Sequence, residues 1–139
     1  MNYKSILTSL YYLLTQADGK VNEKETGLGK KMMQAEGLDE RSFESTLELL
    51  KSKDKNALLT ECLVALRKID QKQQIRCIAW LCVIANSDGF MDKEEWILIY
   101  KIYHTELKLS LDEVLKIQKE LNMLVHGRSF GSLGVKVND

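Results

Sequence analysis

The stretch Ala17-Asp18-Gly19-Lys20-Val21-Asn22-Glu23-Lys24-Glu25 recurs without a gap, seventy residues later, as Ser87-Asp88-Gly89-Phe90-Met91-Asp92-Lys93-Glu94-Glu95. Both copies run small residue, Asp, Gly, any residue, apolar, Asn or Asp, two polar residues, Glu. An apolar helical stretch leads into each. A repeat over a span of this length implies a duplicated fold. Because the shared polar positions are mostly acidic, the motif also raises one chemical hypothesis, cation binding.

Upstream of the first copy, a helix is predicted over about residues 2–16, with Ile6, Leu7, Leu10, Tyr11, Leu13 and Leu14 on a broad apolar face. Asp18-Gly19 stops it, because glycine tolerates the left-handed conformation in which helices end. Asn22 is a good N-cap, and Glu25 three residues later completes a capping-box pattern. The second helix then runs through Leu28, Met32 and Met33 to Gly37. Asp39 opens a third, carrying Phe43, Leu47, Leu49 and Leu50, and the polar run 51–55 connects the halves.

A fourth helix is expected over about residues 56–69 and a fifth from Asp70. In the fifth, Ile75, Cys77, Ile78, Trp80, Leu81, Val83 and Ile84 give an almost all-round apolar surface, which belongs at the centre of a fold. Asp92 with Glu95 opens the sixth, displaying Trp96, Ile97, Ile99, Tyr100 and Tyr103. Ser110 with Glu113 opens the seventh, which is expected to reach about Met123. The fold class is therefore all-α and multihelical, with about seven helices. A single domain covers residues 1–125, with repeat one over about 2–50 and repeat two over about 70–123. The Gly-rich segment 126–139 has no periodicity and is expected to be a flexible tail. Leu38-Asp39-Glu40 and Leu111-Asp112-Glu113 begin equivalent helices but lie 73 residues apart, so a small length change separates the copies.

Lys plus Arg and Asp plus Glu both number 20, so the formal net charge is zero. A dedicated nucleic-acid binder would carry a basic surplus or stripe, so no nucleic-acid partner is expected. No apolar run reaches the length of a membrane span, and no cleavage-site signature follows Met1. The expectation is a cytoplasmic protein without direct membrane insertion. Proline is absent, so nothing breaks the helical pattern. Cys62, Cys77 and Cys82 are odd in number and lack CxxC spacing, which points to core packing rather than disulfides or zinc.

Hard cations collect several oxygen ligands, and a turn followed by a helix can converge them. The candidate ligands are Asp18 and Glu25 in the first copy and Asp88, Asp92 and Glu95 in the second. Their spacing matches the latter half of an EF-hand loop. The first half fails, because Ile84 and Asn86, like Leu14 and Gln16, stand where the first and third ligands belong. The same residues also work as helix punctuation, each N-cap contributing about 0.5–2 kcal/mol and the acids suiting the helix dipole. Asp18 and Asp88 are the acids that capping leaves over. Three formal negatives against two make the second copy the expected tighter site, for Ca2+, Mg2+ or Mn2+. No phosphate loop, GxSxG elbow or HExxH occurs, so no catalytic residue is identified. His104 and His126 have no second ligand at metal spacing, and the tyrosines are expected to pack.

The paired motif resembles that of the TerB-like family, which takes in the tellurite-resistance protein TerB and the N-terminal domain of DjlA-type membrane-anchored co-chaperones. The shared signature is an apolar helix running into (A/S)-D-G-x-(apolar)-x-x-x-E, over about residues 2–123. The resemblance implies two pseudo-symmetric helical repeats around two central helices, a role the fourth and fifth helices would suit. It implies metal ligation by Asp18, Glu25, Asp88 and Glu95. It further implies a bacterial stress or tellurite-resistance response beside membrane-associated protein partners, without an enzymatic reaction. With no J-domain or anchor in these residues, a complete co-chaperone is not expected. The function expected is a non-enzymatic, cation-binding module that docks on a protein partner. The alternatives are a metal-independent adaptor and a metal-dependent hydrolase built on Asp88, Asp92 and Glu95, for which no general base is evident.

Overall fold

Six helices begin on an Asn or Asp side chain that accepts a first-turn backbone N–H, one of the four donors every helix start leaves without an intrahelical partner. Asn2 accepts from Ser5, Asn22 from Glu25, Asp39 from Ser42, Asp54 from Ala57, Asp70 from Gln73 and Asp92 from Glu94, all at 2.8–2.9 Å. Asn22, Asp39, Asp70 and Asp92 are the caps expected from sequence. Asp54, expected in a connector, instead starts the fourth helix, and Asn2 makes a full capping box with Ser5.

The computed structural model describes residues 1–17, 19, 22–87, 89 and 91–126. Its helices are α1 (Tyr3–Thr15), α2 (Glu23–Ala35), α3 (Glu40–Leu50), α4 (Lys55–Leu66), α5 (Gln71–Ala85), α6 (Lys93–Tyr100) and α7 (Leu111–His126). A π-helical segment, Lys101–Glu106, continues α6. Among the described residues there is no strand, and no helix is long and apolar enough to cross a membrane. The helix α7 passes Met123 and ends at His126, while the expected tail residues 127–139 lie outside the described residues.

The core gathers on α1 and α5. The helix α5 packs against α1, α2, α6, α7 and the π segment, and Cys77 through Ala85 are all buried. Every residue of α1 from Ile6 to Thr15 is buried too, and α1 packs against α3, α4, α5 and α6. The expectation that α4 accompanies α5 at the centre is thus corrected. α4 packs mainly on α1 and leaves Val64 48% exposed. Thr8 and Thr15 disguise α1 as less apolar than it behaves. Their hydroxyls donate to carbonyls of their own helix, Lys4 at 2.9 Å and Tyr12 at 3.0 Å, so burying them leaves no unmet donor.

Two contacts, one buried and one partly buried, fix α2 against the central pair. Tyr11 of α1 lies so close to Gly29 of α2 that a Cβ there would come within 2.5 Å of the ring. At the end of α2, the Glu36 carboxylate accepts from the Tyr3 hydroxyl at 2.5 Å and from Arg76 of α5, through Nε at 2.9 Å and Nη2 at 2.7 Å. Burial alone would raise the Glu36 pKa, but the hydrogen bonds from Arg76 and Tyr3 outweigh it and hold the carboxyl below its ordinary value. The three cysteines are free and buried as expected, and burial pushes the Cys62 and Cys82 thiols up to about 12. Thiolate chemistry near neutral pH has no foothold there.

Candidate functional site

Each acidic turn is formed by the same backbone device. After α1, the Ala17 N–H donates to Leu14 O at 3.1 Å and the Gly19 N–H to Gln16 O at 3.1 Å. After α5, Ser87 donates to Ile84 O at 3.2 Å and Gly89 to Asn86 O at 2.9 Å. Gly19 and Gly89 have φ of +77° and +88°, the left-handed region that side chains disfavour and glycine enters freely. The repeated Gly is therefore required by the chain reversal between helices.

The helix after each turn starts on its Asx cap, and its third residue is a glutamate. Both glutamates are interior, Glu25 at 3% exposure and Glu95 at 2%. The capping-box reading places them at the helix surface, reaching back to the N-cap backbone. For α2 only half of that box exists, the Asn22 side chain on the Glu25 N–H. In α6 the Asp92 carboxylate takes the N–H of Glu94 rather than that of Glu95. The pairing of Asx with Glu in the motif thus places a carboxylate in the interior, a role that capping does not explain.

Glu25 sits beside Tyr11, whose phenol pKa is raised first by burial and next by the Glu25 charge. Among the described residues, Oε1 of Glu25 is buried without a hydrogen-bond partner. Leaving a carboxylate oxygen unsatisfied costs more than an ordinary hydrogen bond contributes, and such an atom points to a water or an ion. Its chemistry fits a hard divalent cation, which takes carboxylate oxygens.

Of the five candidate ligands, Glu25, Asp92 and Glu95 are described, whereas Asp18 and Asp88 lie outside the described residues. Asp92 is half-buried, with one carboxylate oxygen engaged as the α6 cap. Among the described residues, no three His, Cys, Asp or Glu side chains gather as a metal-holding group. His104 stacks on Tyr100 with ring centroids 4.5 Å apart and meets the Tyr103 ring edge-on at 6.1 Å. The Tyr3–Glu36–Arg76 cluster went unforeseen, because its members are 33 and 40 residues apart with no periodic signal linking them.

The sequence profile of the family described as tellurite resistance protein TerB matches residues 4–118. No curated protein and no solved structure matches the chain. The profile match runs from α1 into α7 and contains both acidic turns. The chain belongs to the TerB family.

Proposed function

We propose that this TerB-family domain is a non-enzymatic binding module whose acidic turns hold a divalent cation, Ca2+, Mg2+ or Mn2+. The ligands would be Asp18 and Glu25 at the first turn and Asp88, Asp92 and Glu95 at the second. One observation carries the reading. Glu25, in the third position of its helix, is buried, and its Oε1 has no hydrogen-bond partner among the described residues. A cation there would supply the charge and coordination that a buried carboxylate lacks. Helix-capping needs no such burial. The setting that goes with the family is a bacterial cytoplasmic stress response, linked to tellurite resistance, in which the module docks on a membrane-associated protein.

Thermal melts across a concentration series of each cation test this. A ligand that binds only the folded state, at a hundredfold excess over its Kd, adds about 2.7 kcal/mol of stability. Glu25→Gln keeps the side-chain shape and removes the charge, so it should reduce the cation-induced rise in Tm. If Ca2+, Mg2+, Mn2+ and Zn2+ all leave melting unchanged, the metal-independent adaptor is the better reading. The caps on Glu25 N–H and Glu94 N–H would then be the motif's main purpose. Metal-stimulated turnover lost in Asp88→Ala would instead favour the hydrolase.

A further inference from the structure

Helices α5 and α7 pack together, and an open groove of about 660 Å³ lies at this junction. Small-molecule sites occupy roughly 300–1,000 Å³ and combine an apolar surface with a few placed polar groups. The apolar surface here is Ile75 of α5, 5% exposed, and the half-buried Ile117 of α7. Around it stand three cations. Lys72 and Arg76 are four residues apart on α5 and share a face, and Lys116 comes from α7.

Arg76 is the fixed member. Its Nε and Nη2 are held by the Glu36 carboxylate. A guanidinium has five N–H donors, so both on Nη1 and one on Nη2 remain outside that fork, on a group that cannot swing away. Among the described residues, Lys72 and Lys116 make no ion pair. Two carboxylates line the same groove. Asp70 is occupied as the α5 cap, its Oδ1 accepting from the Gln73 N–H at 2.8 Å, and Glu113 is exposed. The lining thus sets three cations against two carboxylates over an apolar surface, with Glu36 already paired to Arg76, so the unpaired positive charge is that of Lys72 and Lys116.

We propose that this groove binds a small organic anion, an apolar body bearing a phosphate or carboxylate. The body would cover Ile75 and Ile117, and the head would meet Arg76, Lys72 and Lys116. The site lies apart from the acidic turns and does not depend on their cation. Rigid Arg76 supplies direction, and the two lysines supply mobile charge.

The test titrates the full chain with 1-naphthyl phosphate and 1-naphthoate, with 1-naphthol and inorganic phosphate as the separated halves, read by amide NMR shifts and calorimetry. Both anions should bind with shifts confined to the start of α5 and to residues near 113–117. Naphthol and inorganic phosphate should bind about tenfold or more weakly than the joined probe. Preference between the two anions assigns the head group. Lys72→Ala and Lys116→Ala, at exposed positions that leave the Arg76–Glu36 pair intact, should each weaken binding about tenfold, while Lys93→Ala changes nothing. Naphthol binding as well as the anions, or binding unaffected by both groove variants, overturns the proposal. So does the absence of shifts at millimolar probe, or a dimer in sedimentation that Lys116→Glu converts to monomer, since a second copy would then own the groove.

Discussion

Gly29 and Ile99 stand seventy residues apart, each the seventh residue of the helix that follows an acidic turn, and both are buried. Their neighbours on the preceding helices differ in the opposite sense. Where α1 has Tyr11, α5 has Leu81 at the equivalent position. A large residue meets glycine in the first half, and two mid-sized residues occupy the same places in the second. The ends of these helices differ in a comparable way. Glu36 and Glu106 are again seventy apart, and each accepts from a distant arginine, Arg76 of α5 for Glu36 and Arg67 just past the end of α4 for Glu106. The Glu36 side chain is 5% exposed and shares its carboxylate with Tyr3, while Glu106 is 28% exposed and pairs with an Arg67 that is 48% exposed. The exposed aromatics Trp96 and Tyr100, at 38% and 39%, also lie in the second half. Turns that share their backbone hydrogen bonds and left-handed glycine are therefore followed by unequal anchorage: α2 is pinned from within, and α6 is held closer to the surface.

The two arginines break this comparison most directly. Arg76→Ala strands a buried carboxylate and should cost about 2–3 kcal/mol, below the fully buried range because the arginine itself is 40% exposed. Arg67→Ala should cost about 0–1 kcal/mol, as surface pairs do. Urea melts of both variants measure the difference. The Glu36 pKa is depressed in the folded protein, so its contribution is present above the unfolded value of about 4.3 and is lost as pH falls through the lower folded value. The gap between wild type and Arg76→Ala should accordingly narrow on acidification. A gap that is unchanged at pH 3 would mean the pair is not what holds α2.

Gly29→Ala sets two magnitudes against each other. Overpacking against the Tyr11 ring costs about 1–3 kcal/mol, and exchanging glycine for alanine in a helix returns up to about 1. The ring is 5% exposed and also contacts Phe43 at a centroid distance of 5.6 Å, so it cannot simply swing aside. Net destabilisation of about 1–2 kcal/mol is expected. Adding Tyr11→Leu, the residue found at the equivalent place in α5, should relieve the clash. A double-mutant cycle would then give a coupling of about 1 kcal/mol or more, and additive effects would dissolve the size-exchange argument.

The proposed cation sites sharpen the comparison in the other direction, since the motif before the less firmly anchored helix carries more acid. If both turns bind, Asp88→Asn should weaken cation affinity about tenfold, or about 1.4 kcal/mol, and more than Asp18→Asn does. Calorimetric titration of the two variants decides it. The reverse order would show that charge count at the motif does not set the tighter site.

The parts of this fold that were legible in the sequence are those set locally. Asn22, Asp39, Asp70 and Asp92 announce helix starts because a short acceptor before an apolar periodic run has few other uses. Gly19 and Gly89 announce reversals because few other residues accept their φ. The central position of α1 was hidden by hydroxyls that satisfy themselves within the helix. The burial of Glu25 and Glu95 was hidden for a related reason. As residues they complete a capping pattern so well that nothing in the string suggests the side chains point inward. Tyr3, Glu36 and Arg76 meet through tertiary packing alone, which spacing does not encode.

The smallest effect concerns how the two helices stop, and it also explains the three-residue difference in length. The first ends conventionally. Gly37 has φ of +69° and the Leu38 N–H returns to Met33 O at 2.9 Å, a five-residue return characteristic of a left-handed glycine cap. In the second half α6 widens into the π segment, the Leu107 N–H bonds to Ile102 O at 3.0 Å, and the Leu109 N–H reaches Tyr103 O at 2.8 Å. The residue that turns left-handed there is Lys108, with φ of +54°. The wider π turn and the longer return absorb the extra residues before α7, and a side chain sits where glycine is usual. A left-handed non-glycine residue costs about 1–2 kcal/mol, while glycine loses more chain entropy on folding. Lys108→Gly should therefore be stabilising by about 0.5–1 kcal/mol, a small upward shift in denaturation midpoint with an unchanged slope. Gly37→Lys should destabilise by a similar amount. If Lys108→Gly is instead destabilising, the exposed lysine is doing something at that corner that backbone strain alone does not account for.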